Sequence, residues 1–311
     1  MDFVAIDFET ANSERNSACA IGITPVKNGV VGETIERLIR PPKLDFGYYQ
    51  VKKHGIQERD VINCPTFHEL WPEFSSLIEG NLVVAHNTSF DISVLRHSLY
   101  ALGLAAPRFS YLCSLRLSRQ LWPQLASHSL GFLAATYSIP LEHHKAGSDS
   151  FAAAQLVLLG AKEKGINCPR ELATSCGLTV GEVVSNDNWT PVSGPSIRGS
   201  KKTFELQLPD GFDASTHEFF GKRIIFTGTM ATFTQPECEK MVTQLGGITK
   251  GSVTKKTDYV VTGAIDLKKL AKGESEYKKM RDAKDLREKG AKVKIITDSD
   301  FMEMISTVKQ D

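Results

Sequence analysis

Phe3-Val4-Ala5-Ile6-Asp7-Phe8-Glu9-Thr10 is the stretch that decides the fold. Its four leading apolar residues, β-branched members among them, read as a buried strand, and the acidic pair that follows puts polar groups at the carboxyl end. A side-chain period of two sends Asp7 and Glu9 to the same face. Two neighbouring carboxylates withdrawn from water repel each other, so a cation must compensate. A divalent ion such as Mg²⁺ suits carboxylate oxygens that share it with waters and phosphates. A lone D-x-E at an exposed strand end needs no ion; further carboxylates at neighbouring strand ends do.

Working outward, two more such ends come into view. Phe67 to Ile78 has apolar residues at helical spacing, and Leu82-Val83-Val84-Ala85 is a second short buried strand. That strand breaks at His86-Asn87, and a helix predicted over Phe90 to Leu102 carries Asp91 just inside its start. Strands alternating with helices predict an α/β domain, whose ligand-binding residues gather at the carboxyl edge of the sheet. His143-His144-Lys145-Ala146-Gly147-Ser148-Asp149 then leads into a strong helix from Ser148 to Glu163, stopped by Gly165 and Pro169. On a continuous helix His144 and Asp149 would lie about 140° apart, so His144 is expected on the loop before it, with Gly147-Ser148 as the helix start. Singly, Asp91 and Asp149 are ordinary first-turn residues that favour the helix dipole. With Asp7 and Glu9 they make four carboxylates at the ends of successive elements.

The three stretches Phe3 to Thr10, His86-Asn87-Thr88-Ser89-Phe90-Asp91, and His144 with Asp149 five residues on resemble, in order, the exonuclease motifs of the DnaQ-like, DEDDh family. That family includes polymerase proofreading subunits and several RNases. The likeness runs over about residues 1–165, with His54-Gly55-Ile56 and Ser129-Leu130 to Leu133 as further shared features. It implies an RNase H-like domain, a mixed sheet flanked by helices, that hydrolyses phosphodiester bonds from a 3′ end. It also implies that Asp7, Glu9, Asp91 and Asp149 hold two divalent cations, Mg²⁺ or Mn²⁺, with His144 as general base; His143 is the competitor, one residue off the family spacing. Two ions stabilise both the attacking and the leaving oxygen of a phosphoryl displacement, and an imidazole is suited to take a water's proton near neutrality. Thr10, Phe8, His54 and Phe90 are the residues expected to hold the terminal nucleotide. Motifs for a phosphate-cradling loop, a dinucleotide fold or a serine hydrolase are missing from the sequence.

The rest of the chain divides differently. Its 311 residues suit two domains, and 41% hydrophobic with 23% charged residues exclude a fibrous or globally disordered chain. Residues 166–217 cluster Gly, Pro, Ser and Asn and are read as a linker, with short helical pieces between Arg170 and Val183. Residues 218–311 then form a complete small α/β unit: strands at Lys222 to Gly228, the first running into a glycine turn, at Thr257 to Val261 and at Val293 to Ile296, and helices at Glu237 to Leu245, Tyr277 to Lys289 and Asp298 to Val308. Phe220-Gly221-Lys222, Phe226-Thr227-Gly228, Leu245-Gly246-Gly247, Lys256 to Val261 and the Phe301 region together resemble a BRCT domain, with Phe301 where many members carry Trp. The likeness implies a four-stranded parallel sheet and a docking module for phosphorylated proteins or DNA ends. Its phosphate contacts would be Thr227, Gly228 and a lysine of the charged helix, Lys279, with Lys278 and Lys284 as alternatives; binding a protein without any phosphate has comparable weight.

Charge fits this division. Residues 1–218 carry 19 basic against 23 acidic side chains, and residues 219–311 carry 18 against 13. The first part needs its metal ions to hold a polyanion, whereas the second attracts phosphates directly. The longest nearly apolar run, Phe151 to Ala161, falls short of the ~20 residues that span a bilayer. With no basic leader at Met1-Asp2 and six scattered cysteines, a cytoplasmic protein with reduced thiols is expected. The partner is then a nucleic acid with a free 3′ end, DNA favoured over RNA. The alternatives are an RNA 3′→5′ exonuclease of the same family and a non-catalytic scaffold that binds DNA or phosphoproteins.

Overall fold

The computed structural model describes residues 1–125, 127–195, 206, 208, 211–230, 233–263 and 277–306. The chain divides into two compact units, Met1–Arg198 and Gly199–Asp311.

The first unit is built on an eight-stranded sheet of β1 (Phe3–Thr10), β2 (Ala18–Lys27), β3 (Val30–Val31), β4 (Ile35–Leu38), β5 (Leu82–Ala85), β6 (Phe109–Cys113), β7 (Gly181–Val183) and β8 (Trp189–Thr190). The order is β3-β2-β1-β5-β6-β7-β8, with β4 also on β2. β1, β5 and β6 run parallel, while β2 and β7 flank them antiparallel, so the sheet is mixed as expected. The helices are α1 (Tyr48–His54), α2 (Glu58–Val61), α3 (Phe67–Ile78), α4 (Ser89–Ala101), α5 (Ser114–Leu121), α6 (Leu130–Thr136), α7 (Ala146–Lys164) and α8 (Pro169–Ser175).

Alternation along β1 sets the two cores. Val4, Ile6 and Phe8 face one layer, where Phe67, Trp71, Phe74 and Ile78 of α3 and Ile92, Leu95 and Leu99 of α4 pack on them. Phe3 and Ala5 face the other, against Ala154, Val157 and Ala161 of α7 and Leu117 of α5. Asp7 and Glu9 continue the second set, so the strand aims both carboxylates at the start of α7. There β2 and α7 meet almost backbone to backbone: a Cβ on Gly22 would stand 1.9 Å from the Ala146 carbonyl oxygen. Only glycine permits that approach.

Part of the stretch expected to be a linker is folded. α8, β7 and β8 lie within residues 166–217, and β7 pairs with β6 to extend the sheet. Long-range contacts hold this segment: the guanidinium of buried Arg96 donates to the Asn186 carbonyl and lies 4.5 Å from the centre of the Trp189 ring. Asn186 in turn accepts from the Ala106 amide and donates to the Leu104 carbonyl. Residues 196–205 of that expected linker lie outside the described residues.

In the second unit β9 (Arg223–Thr227), β10 (Ile248–Thr249), β11 (Tyr259–Thr262) and β12 (Lys294–Thr297) form a sheet in the order β10-β9-β11-β12, every pair parallel. Its helices are α9 (Gln235–Gln244), α10 (Lys278–Glu288) and α11 (Asp298–Ser306), and the last two residues expected in α11 lie outside the described ones. Phe301 is fully buried, stacked on Phe219 at 5.6 Å and edge-on to Phe226 at 5.0 Å. Gly246 closes α9 at φ 74°, where a Cβ would also strike the Phe220 ring at 2.5 Å.

Candidate active site

The four carboxylates come together at the carboxyl edge of β1 and β5. Asp7, Glu9 and Asp149 each place an oxygen within 4.8 Å of the others. Asp91, 1% exposed, is held to the same strand because the Phe8 amide donates to its Oδ1 at 3.0 Å. A bulge in the β1–β2 pairing between Glu9 and Thr10 bends the strand end where the acidic pair sits.

Such a cluster is costly without a cation. Burial, then the carboxylates of Asp149, Asp91 and Glu9, push the Asp7 carboxyl well above its usual range, and only the Lys53 ammonium draws it down. Burial likewise pushes Asp91 up to about 7, against the Phe8 amide, its own backbone amide and the Arg15 guanidinium. An all-oxygen donor set with this accumulated charge fits a hard divalent ion. Asp7, Glu9 and Asp149 are the residues that can hold it, with Asp91 beside them.

His144 lies in the turn before α7, as the spacing predicts, and α7 begins at Ala146, one residue before the expected start. The turn gives His144 a left-handed backbone, φ 68°, and its amide donates to Asp149 Oδ2 at 3.1 Å. His143 takes a part that the spacing did not suggest. Its Nδ1 lies 3.1 and 3.3 Å from the two Asp149 oxygens, and its ring stacks on that of His144 at 3.9 Å. Gly131 of α6 lies beside this pair, where a Cβ would stand 3.4 Å from the His143 ring, in ordinary van der Waals contact. The nearby His86 is a strut: its ring nitrogens reach the Ser114 hydroxyl and the His128 carbonyl at 3.0 Å, and burial drives its pKa down to about 3.

The expected nucleotide contacts separate. Phe8 is 2% exposed and packs on Phe67, so its ring belongs to the core and not to a binding face; the alternation that aims Asp7 and Glu9 at α7 turns Phe8 the other way. Phe90 is half-buried and carries the Arg15 guanidinium 4.6 Å from its ring centre. His54 receives the Ile56 amide at Nδ1 and donates from Nε2 to the Thr10 carbonyl at 3.1 Å, so both ring nitrogens serve the backbone and not a ligand. Thr10 is buried and anchored by that bond. Lys53 and Arg15, both acting on the carboxylates, were not identified from sequence; their positions in a short helix and in the Ala11–Ser17 turn carry no motif.

In the second unit Lys279 donates from Nζ to the Phe226 carbonyl at 3.0 Å, beside Thr227 and Gly228 at the carboxyl end of β9. Thr227 is buried and Gly228 has φ 81°. The three residues expected to contact phosphate are thus neighbours.

Comparison with known proteins places both units in known families. The Exonuclease (RNase_T) family model matches residues 4–157, and the BRCA1 C Terminus (BRCT) domain model matches residues 215–299. The DNA polymerase III PolC-type of Caldanaerobacter subterraneus subsp. tengcongensis is 31% identical over 160 residues, 50% of this chain and 11% of the relative. The 3′-5′ exonuclease DinG of Staphylococcus epidermidis is 27% identical over 159 residues, 50% of this chain and 18% of the relative. The chain therefore spans between about a tenth and a fifth of the length of these curated relatives. Among solved structures, Exonuclease X in complex with 5′ overhanging duplex DNA covers 56% of this chain and 99% of its own, at 24% identity and a TM-score of 0.46.

Proposed function

Because residues 4–157 are an exonuclease domain of the RNase_T family and residues 215–299 a BRCT domain, we propose that the protein is a metal-dependent 3′→5′ exonuclease whose second domain docks it to its place of work. The observation that carries the proposal is the convergence of Asp7, Glu9 and Asp149 within 4.8 Å, with Asp91 tied to the same strand. Asp7, Glu9, Asp91 and Asp149 would hold two divalent ions, Mg²⁺ or Mn²⁺. When bound, the ions lower the pKa of an attacking water and stabilise charge on the attacking and leaving oxygens.

The chain's own groups do the rest. His144, on its turn above Asp149, takes the proton of the attacking water. The new bond forms between that oxygen and phosphorus, the bond from phosphorus to the 3′ oxygen breaks, and the terminal residue leaves as a nucleoside 5′-monophosphate. His143 orients Asp149 by hydrogen bonding and His144 by stacking. Thr10 presents its backbone beside the carboxylates, and the Arg15–Phe90 pair walls the site on the α4 side.

DNA is the substrate we favour, in repair or replication, because the matched relatives include DNA polymerase III PolC-type proteins. RNA is the second candidate, and a scaffold without catalysis is disfavoured by the presence of all five catalytic positions. For the BRCT domain, Lys279 beside Thr227 and Gly228 favours a phosphorylated protein or a DNA 5′ end as the partner. Among the described residues no helix is long and apolar enough to cross a membrane, and the six cysteines are free.

The test is degradation of a 5′-labelled single-stranded DNA and a matched RNA by the purified chain, with Mg²⁺ or Mn²⁺ and with chelator. A metal-dependent ladder is expected, faster on DNA. A faster ladder on RNA would move the substrate to the second candidate, and intact strands under every metal would leave the scaffold.

A further inference from the structure

Helix α1 lies against the end of β1 and is tied down at both its ends. The Gly47 amide donates to the Ala11 carbonyl at 2.8 Å before the helix, and His54 donates to the Thr10 carbonyl at its last turn. Between these ties the helix carries Tyr48, Tyr49, Lys52 and Lys53. Tyr48 is 69% exposed, with the Tyr49 ring edge-on to it at 5.4 Å. Lys52, one turn from Tyr48, is also exposed, while Lys53 is half-buried and acts electrostatically on Asp7.

A single exposed tyrosine needs no explanation. Here the surroundings supply one. The site behind α1 holds four carboxylates in a part of the chain that carries more acidic than basic residues, so an incoming polyanion meets repulsion that the metal ions offset only at the scissile phosphate. Cations placed just upstream remove it along the strand. Aromatic rings interleaved with lysines are what a single strand uses, bases stacking on rings and phosphates lying on ammonium groups. Six helical steps separate Tyr48 from His54, about 9 Å along the helix axis, and the two ends of this short helix are tied to Ala11 and Thr10, next to Glu9.

We propose that α1 is the platform for the unpaired strand upstream of the scissile bond, with Tyr48 stacking a base and Lys52 and Lys53 holding successive phosphates. The platform presupposes the exonuclease activity proposed above and makes the enzyme prefer single-stranded 3′ ends at least a few nucleotides long, because a paired base offers no free face to Tyr48. Tyr49 supports the Tyr48 ring from its edge.

Two measurements on the full chain test it. The first is fluorescence anisotropy with 5′-fluorescein oligothymidylate in Ca²⁺ or chelator, which requires no turnover. Tyr48→Ala is expected to weaken binding about five- to a hundredfold, the range of alanine substitutions under stacked bases, and Tyr48→Trp to restore it. Lys52→Ala is expected to reduce the slope of log affinity against log salt by about 0.7. The second compares kcat/KM on a twelve-nucleotide strand with that on thymidine 5′-monophosphate p-nitrophenyl ester, which has no upstream strand. The Tyr48→Ala loss is expected to be at least tenfold larger on the strand.

Equal losses on both substrates, unchanged binding by Tyr48→Ala, or failure of Tyr48→Trp to restore it would overturn the platform. A wild-type chain that binds the strand through Tyr48 but cleaves neither substrate would overturn the exonuclease and leave the platform standing.

Discussion

Replacing Asp7 by asparagine should make the metal-free protein more stable while destroying its response to metal. In the folded chain Asp7 shares a space 4.8 Å across with the oxygens of Glu9 and Asp149. Two unit charges at that distance repel by ~3.5 kcal/mol at an effective dielectric of about 20. Part of this is already relieved by protonation, since Asp7 is driven well above the usual carboxylate range, so the recoverable amount is about 1–3 kcal/mol. For a domain of this size, that is a rise in Tm of roughly 2–12 °C in chelator. With metal the order reverses. An ion at a hundred times its Kd adds ~2.7 kcal/mol to the wild type, and Asp7→Asn, lacking one of the ligands, gains little. Differential scanning calorimetry of both proteins, with chelator and with Mn²⁺, reads all four values from the transition of the exonuclease domain. An Asp7→Asn protein less stable than wild type in chelator, or one that keeps the full Mn²⁺ shift, would refute the idea that these carboxylates are held together for an ion.

Other outcomes follow from the same geometry. Burial raises the Asp91 carboxyl from 3.8 to about 7, so between those values the folded chain holds a proton that the unfolded chain has lost, and stability without metal falls as pH rises through that window. Mn²⁺ must expel that proton, so calorimetric heats at about pH 6 should differ between buffers of different ionisation enthalpy; equal heats would contradict the shift. His144→Ala should lower kcat by about 10²–10⁴-fold, whereas His143→Ala, acting through Asp149, should weaken apparent metal affinity by about 10–100-fold; steady-state kinetics with metal titration separates the two, and the reverse pattern would exchange their roles. Gly22→Ala should destabilise the first domain by about 3 kcal/mol or more, because the added methyl meets the Ala146 carbonyl at 1.9 Å and backbone, not a flexible side chain, must move; urea unfolding with an unchanged midpoint would show that β2 and α7 can part cheaply.

Much of the fold was legible because each strong element carries its own period. The helix predicted over Phe67 to Ile78 and the strand over Leu82 to Ala85 coincide with α3 and β5, and α4, α7, α9 and α10 start and stop within two residues of their predicted bounds. β2 was not foreseen, since Ala18, Ala20, Gly22 and Pro25 are poor strand formers; at Gly22 the reason is the close approach of α7, where only glycine fits. β7 and β8 were hidden for another reason. They are three and two residues long, and what holds them is Arg96 and Asn186, partners some ninety residues apart in sequence.

The site divides in the same manner. The carboxylates and His144 were readable because spacing within a motif determines their placement. The roles of Phe8 and His54 were not, because whether a ring faces a ligand depends on which layer its strand face meets and on what its nitrogens already bind. His143 shows the limit of spacing most clearly: one residue off the family pattern, it still touches both Asp149 and His144.

The most direct test of the central claim is the fate of the last nucleotide. A DNA strand carrying radiolabel only in the phosphate before its 3′-terminal residue should, with the wild-type chain and Mn²⁺, release that label as a nucleoside 5′-monophosphate before any internal nucleotide appears. It should release nothing with chelator or with Asp7→Asn. Label set free as a dinucleotide or longer fragment, as a 3′-monophosphate, or equally well by Asp7→Asn would contradict a carboxylate-bound, metal-dependent attack at the 3′ end.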